Sequence, residues 1–217
     1  MNGFLKPAGI GPRMVGLITL YCAFAIHAQT TKPPADAAQA TDKGRVIELN
    51  NAKALIPDAE VFDHNGRRVR LYSDLIKNRL VLLSFFFTDC SNICHVQGHD
   101  LARMQAALGE RLGRDVSLLS ISMNPAHDSP QKLKHWAKSF GVKPGWILVS
   151  GDTPLMRKMI KDFTGNEPGA REAHFAAVFV GDDRTGMWSS ADGLAGPEEL
   201  IKLIDAVRSG SLVKQTK

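Results

Sequence analysis

Leu80 to Phe87 reads LVLLSFFF, a continuous apolar run of strand length broken by one serine. A strand with one wet face alternates apolar and polar residues, so this run predicts a strand covered on both faces. Val116 to Met123 and Trp146 to Ser150 are two more apolar strands. Between and after them lie helical patterns at Ile93 to Gly109, Pro130 to Phe140, Pro154 to Phe163 and Pro197 to Val207, with Ser129 and Thr153 placed to cap the second and third. In the first, Val96, Leu101, Met104 and Leu108 are spaced for a buried face, and Gly98 is a weak point. Strands alternating with helices predict an α/β sandwich with a central, partly parallel sheet. Two hairpins flank it. Ala54 to Val61 and Arg68 to Tyr72 bracket Asp63-His64-Asn65-Gly66, whose Asn-Gly supplies positive backbone angles, and Ala176 to Val180 pairs with Met187 to Ser190 as an antiparallel edge.

Composition limits the function classes. With 44% apolar and 23% charged residues, the chain is neither collagen-like, disordered nor a multi-span membrane protein. Lys+Arg 27 against Asp+Glu 22 is a small, scattered excess, so nucleic-acid binding is not implied. Lys6 and Arg13 precede an uncharged stretch, Met14 to Ile26, and Ile26-His27-Ala28 offers small residues near a cleavage point. That is the pattern of a secretory signal or a short membrane anchor, predicting an exported, periplasmic domain. Residues 29–44, rich in Ala, Thr, Pro and charge, read as a flexible linker, and residues 45–217 as the folded domain. Tyr21 stands before Cys22 where a bacterial lipoprotein signal has a small residue, which argues against lipid attachment there.

The domain then keeps two cysteines, Cys90 and Cys94, at the junction of the buried strand and the next helix. In α/β sheets, sites form beyond the carboxyl ends of strands. Residues i and i+4 on a helix share a face, so the pair is able to bind one ion, to close a disulfide, or to cycle between thiol and disulfide. A helix start also favours thiolate over thiol. Two thiolates suit Cu(I), and an added imidazole admits Cu(II), whereas zinc usually takes four ligands. The plainer alternative is a pair of apolar fillers or a passive bridge.

From Leu55 to Cys94, the Asp-His-Asn-Gly hairpin, the buried strand and the Phe-Thr-x-Cys-x-x-x-Cys ending resemble the SCO/SenC family of membrane-tethered copper chaperones. Ser122-Met123-Asn124-Pro125-Ala126-His127-Asp128-Ser129-Pro130 resembles the family's S-x-D-P-x-x-D-T-P, and Gly145 to Gly151 its G-x-W-x-x-L-T-G strand. The resemblance implies a thioredoxin-like fold with an added β-hairpin, copper bound by two cysteines and a histidine, and delivery to the dinuclear copper site of cytochrome c oxidase. On it the ligands map to Cys90, Cys94 and His174, the last just ahead of Phe175 to Val180. His174 reaches the cysteines only if its strand runs antiparallel to Leu80 to Phe87, as thioredoxin-like sheets have it. Four positions depart from the family pattern: Ser91 and His95 replace prolines, Asn124 an aspartate, and Ala173 an aspartate often found before the histidine.

Other residues carry weaker signals. His95 and His99 stand one helical turn apart and are candidates for a second metal pair, against the alternative of an exposed helix face. His127, beside Asp128, is the next candidate ligand after His174; Met123 is a candidate thioether donor or core filler, His64 belongs to the hairpin turn, and His135 to an amphipathic helix. Arg67, Arg68 and Arg70 form a basic patch, read as solvated surface or as a dock for an acidic partner. The competing function is a thiol–disulfide oxidoreductase acting on cysteines of a copper-site protein, or a copper-dependent redox sensor. Against the former, oxidoreductases of the thioredoxin kind have Cys-x-x-Cys and a facing proline, and here Pro168 comes too early. Phe87 stands where a peroxidase has threonine.

Overall fold

The computed structural model describes residues 52–90, 92–169 and 176–212, so the signal and linker lie outside the described residues. A short helix α1 (Ala52–Leu55) leads into β1 (Glu60–Asp63), β2 (Arg68–Arg70), α2 (Leu71–Leu75) and β3 (Leu80–Phe86). Then follow α3 (Ile93–Leu108), a 3-10 turn, β4 (Ser117–Ser122), α4 (Pro130–Ser139), β5 (Trp146–Ser150), α5 (Pro154–Thr164), β6 (Ala177–Asp182), β7 (Met187–Asp192) and α6 (Pro197–Ser209). One sheet runs in the order β2-β1-β5-β4-β3-β6-β7. Its centre, β5-β4-β3, is parallel; β6 and β7 extend it antiparallel on one side, β1 and β2 on the other. Among the described residues no helix is long and apolar enough to cross a membrane.

Every residue of β3 is buried, as an apolar run without alternation requires. Phe85 and Phe86 point to opposite faces. Phe85 meets Phe163 of α5 and Phe179 of β6, while Phe86 stacks on Trp136 of α4 at 4.7 Å. Burying each such side chain contributes roughly 1.5–3 kcal/mol. Inside the sheet Ser84 and Ser120 share a hydrogen bond, and the Trp146 indole donates to Ser120 Oγ at 3.0 Å, so the buried hydroxyls are paired.

The first hairpin departs from expectation. Residues 54–59 are not strand, Leu71 and Tyr72 begin α2, and only Gly66 takes a positive φ in the turn. The turn is built instead on Asp63, whose carboxylate accepts from the Asn65 and Arg67 backbone N–H groups and from the Arg67 guanidinium. His64 accepts at Nδ1 from Leu148 N–H, which ties the turn to β5. The basic patch is exposed, and each arginine has a local partner: Arg67 pairs with Asp63, Arg68 with Glu60, and Arg70 donates to the Asp58 carbonyl.

In α3, Val96 is half-exposed rather than buried. Gly98 is no weak point: a Cβ there would lie 2.8 Å from two Phe140 ring carbons and 3.0 Å from the Trp136 ring, so only glycine lets α3 and α4 approach this closely.

Candidate metal centre

The registers Phe86↔Ser122 in the parallel pair β3–β4 and Ser84↔Val178 in the antiparallel pair β3–β6 bring four segments to one end of the sheet. They are the loops after β3, β4 and β5 and the chain entering β6. Cys90 lies in the first of these loops, half-buried, its N–H donating to the Phe87 carbonyl. Cys94 is the second residue of α3 and is buried. Both thiols are free. The expected helix-start preference for thiolate is reversed at Cys94: burial, and then the hydrogen bond with the Cys90 sulfur, push its thiol up to about 12. Backbone hydrogen bonds at Phe87 and Cys94 act in the opposite direction but are outweighed, and the Asn92 side chain makes no cap.

Asp128 braces the turn that carries Cys90. It is buried, and it accepts from Thr88 Oγ1 at 2.5 Å, from Ser122 Oγ at 2.6 Å and, more distantly, from Thr88 N–H. Sequence reasoning placed Asp128 in a motif without giving it this task; the nearby hydroxyls of Thr88 and Ser122 are forty and six residues away, and only the parallel β3–β4 pairing joins them. His127 is exposed and lies 3.0 Å at Nδ1 from Asn124 Oδ1. Met123 is buried, its N–H bonded to the Phe86 carbonyl, as core rather than donor. His135 is exposed on α4, away from these loops, and His64 is engaged at the β1 turn.

His95 and His99 both set an edge against the Phe140 ring, at centroid distances of 5.4 and 5.0 Å. His95 Nδ1 is 2.6 Å from the Cys90 carbonyl oxygen.

His174 lies outside the described residues, and the chain on either side of residues 170–175 is held at the thiol end. Gly169 N–H donates to the Met123 carbonyl at 2.7 Å. The Ala176 carbonyl accepts from Gln97 Nε2 at 2.9 Å and from Gly193 N–H at 2.6 Å. Gly193 has to be glycine, because a Cβ would overlap that carbonyl and the Gln97 amide. Gln97 stands three residues after Cys94. Among the described residues, no group of three or more His, Cys, Asp or Glu is placed to hold a metal ion.

The chain is 31% identical over 107 residues to an SCO2-like protein of Rickettsia conorii, covering 49% of this chain and 48% of that one. It is 30% identical over 91 residues to the SCO1 protein homolog of Bacillus subtilis, covering 41% and 45%. The chain thus spans about half the length of the curated relatives it matches. The fold superposes on BsSco, described as a member of the Sco family of cytochrome c oxidase assembly proteins, with a TM-score of 0.57 at 22% identity, covering 73% of this chain and 94% of that one. Bradyrhizobium japonicum ScoI with copper bound gives a TM-score of 0.54 at 22% identity, covering 68% and 96%. The mixed sheet with flanking helices is therefore thioredoxin-like. The SCO1/SenC family model matches residues 48–208, nearly all of the folded part, and the chain belongs to that family.

Proposed function

We propose that this protein is an exported copper chaperone that carries copper on Cys90, Cys94 and His174 and assists assembly of the dinuclear copper site of cytochrome c oxidase. The observation that carries the reading is the pair of free thiols at the carboxyl end of β3, one buried and hydrogen-bonded to the other. Copper is the cargo here. A thiolate pair is a soft donor set that holds Cu(I), and a histidine adds the harder donor that Cu(II) needs. Support for His174 comes from its neighbour: Ala176 is pinned to Gln97 and Gly193, and two residues of chain span at most about 7 Å. Cys94 stores its proton until metal arrives, so loading releases that proton to solvent. Thr88 and Asp128 keep the Cys90 turn in place meanwhile. Copper-bound ScoI of Bradyrhizobium and the oxidase-assembly description of BsSco agree with this assignment. The export signal, Met14 to Ile26 after Lys6 and Arg13, agrees with a periplasmic site tethered to or released from the inner membrane.

A second reading, thiol–disulfide exchange by the same pair, is favoured by one observation, the direct contact between the two free thiols. The test is metal analysis of the full chain purified reduced, with Cu(I) affinity measured by competition. Loss of tight Cu(I) binding in both Cys90→Ser and Cys94→Ser is the expected result. Near-normal Cu(I) affinity in Cys94→Ser sinks the paired site. For His174→Ala we expect a severe loss of Cu(II) binding and a smaller loss of Cu(I) binding, with the disulfide still able to form; unchanged Cu(II) spectra remove His174 and favour thiol exchange.

A further inference from the structure

His95 is one of two residues that stand where the family pattern has proline, and the structure gives its ring a defined state. A carbonyl oxygen only accepts, so the 2.6 Å contact between His95 Nδ1 and the Cys90 carbonyl makes Nδ1 the donor. The neutral ring then keeps its lone pair on Nε2. This is the arrangement found in metal-bound histidines, whose other nitrogen donates to a carbonyl or carboxylate that fixes tautomer and orientation. One turn along α3, His99 rests on the same Phe140 ring, so a single aromatic ring lies against both imidazoles. Residues i and i+4 on a helix sit about 5–6 Å apart at Cβ, within reach of one ion. Both histidines are exposed, and His99 borders an open hollow of about 540 Å³ with Val96 and Ala106. The nearest cation on the helix, Arg103, is paired with Asp100, which lessens its repulsion of a metal.

We propose that His95 and His99 form a two-imidazole site for Cu(II) on the outer face of α3, beside the thiol pair in the chain but made of different donors. Water completes the coordination. Imidazoles bind borderline divalent ions, and among these Cu(II) binds tightest, whereas Cu(I) goes to thiolates. The imidazole pair thus takes Cu(II) without a thiolate, whereas Cu(I) stays on Cys90 and Cys94. Naming copper as the physiological ion rests on the chaperone reading; the imidazole site itself does not.

The experiment uses the full chain carrying Cys90→Ser and Cys94→Ser, free of any polyhistidine tag, titrated with Cu(II) and followed by electron paramagnetic resonance and calorimetry. We expect one Cu(II) with nitrogen hyperfine coupling. His95→Phe and His99→Phe, which keep an aromatic edge on Phe140 but carry no lone pair, should each weaken binding at least about tenfold. His135→Ala, on α4, should not change it. Cu(II) binding that is absent in the thiol-free chain, or that survives either Phe variant, overturns the site. Circular dichroism and melting of each variant separate lost folding from lost ligation; should a Phe variant unfold, His99→Gln replaces it and must show the same loss. Failure of the original chain to bind Cu(I) while the thiol-free chain binds Cu(II) through His95 and His99 overturns the chaperone reading and leaves this site standing.

Discussion

Helices α3 and α5 are built by opposite rules. In α5, Thr153 Oγ1 accepts from Met156 N–H at 3.2 Å, Pro154 opens the first turn, Met156, Met159, Ile160 and Phe163 face the core, and Gly165 closes the helix at φ 72°. Each of these features is local, and each is a known start, stop or core signal. α3 has no side-chain cap, exposes Val96, and buries Cys94, Gln97, Gly98, Asp100 and Gln105 beside Leu101, Met104 and Leu108. Its buried polar groups find partners far along the chain or one turn away. Gln97 donates to the Ala176 carbonyl, Gln105 donates to the Gly141 carbonyl and accepts from Lys143 N–H, and Asp100 holds Arg103. Local rules fail in the helix that carries Cys94, and a fold is expected to break them at functional or strained positions. α5 contributes stability; α3 carries Cys94, follows the loop that holds Cys90, and ties the chain entering β6 to its first turns through Gln97.

The sharpest way to break this contrast is a core deletion in α5. Ile160 is fully buried, so Ile160→Ala should lower unfolding free energy by about 2–5 kcal/mol, read by denaturant titration, while Cu(I) affinity of the folded fraction stays unchanged. A loss of affinity would mean that α5 shapes the site after all. On α3 the expectation is reversed. Gln97→Leu keeps the volume and leaves the Ala176 carbonyl its bond from Gly193, so the stability loss should be only about 1 kcal/mol. The same change frees the chain leading back to His174, and Cu(II) affinity should fall by more than the stability loss accounts for. Equal Cu(II) affinity in Gln97→Leu and the parent would show that the clamp at Ala176 does not position a ligand.

Thr153→Ala tests the locally encoded cap, at about 1 kcal/mol of stability and no change in metal binding. Alkylation compares the two thiols directly. Cys90 is half-buried, whereas Cys94 is buried with its thiol pushed up to about 12, so iodoacetamide at neutral pH should modify Cys90 first, as peptide mass mapping would record. Preferential labelling of Cys94 would show that α3 opens in solution.

The same contrast explains what could be read from the sequence. β3, β4, β5, α4, α5 and α6 were legible because period, cap and breaker signals lie within a few residues of one another, and the antiparallel entry of β6 followed from the family resemblance. Cys90 and Cys94 were legible as a pair because they are neighbours in the chain as well as in space. Asp128 as the brace of Thr88, Gly98 as the contact with Phe140, and Gln97 as the clamp on Ala176 were not, since each acts on a partner brought close only by tertiary packing. The first hairpin misled for a local reason. Asn65-Gly66 suggested a two-residue turn, but the Asp63 carboxylate offers three hydrogen bonds that organise a longer one.

The smallest expected effect lies at Val96. The apolar spacing of α3 predicts it buried, yet it is half-exposed on the outer face between His95 and His99. Lysine is a slightly better helix former than valine, and an exposed substitution that meets no partner usually stays within about 0.5 kcal/mol. Val96→Lys should therefore leave the melting transition essentially where it is. At a buried apolar position of α5 such as Met156, lysine would have to bury a charge, and the fold would not tolerate it. The added ammonium at Val96 would stand beside the two imidazoles without removing either, so it should weaken Cu(II) binding in the thiol-free chain less than His99→Phe does, and that weakening should shrink as salt is raised. A destabilisation above about 1 kcal/mol would instead mean that the outer face of α3 is covered in solution, and the division between a helix that packs and a helix that presents ligands would have to be redrawn.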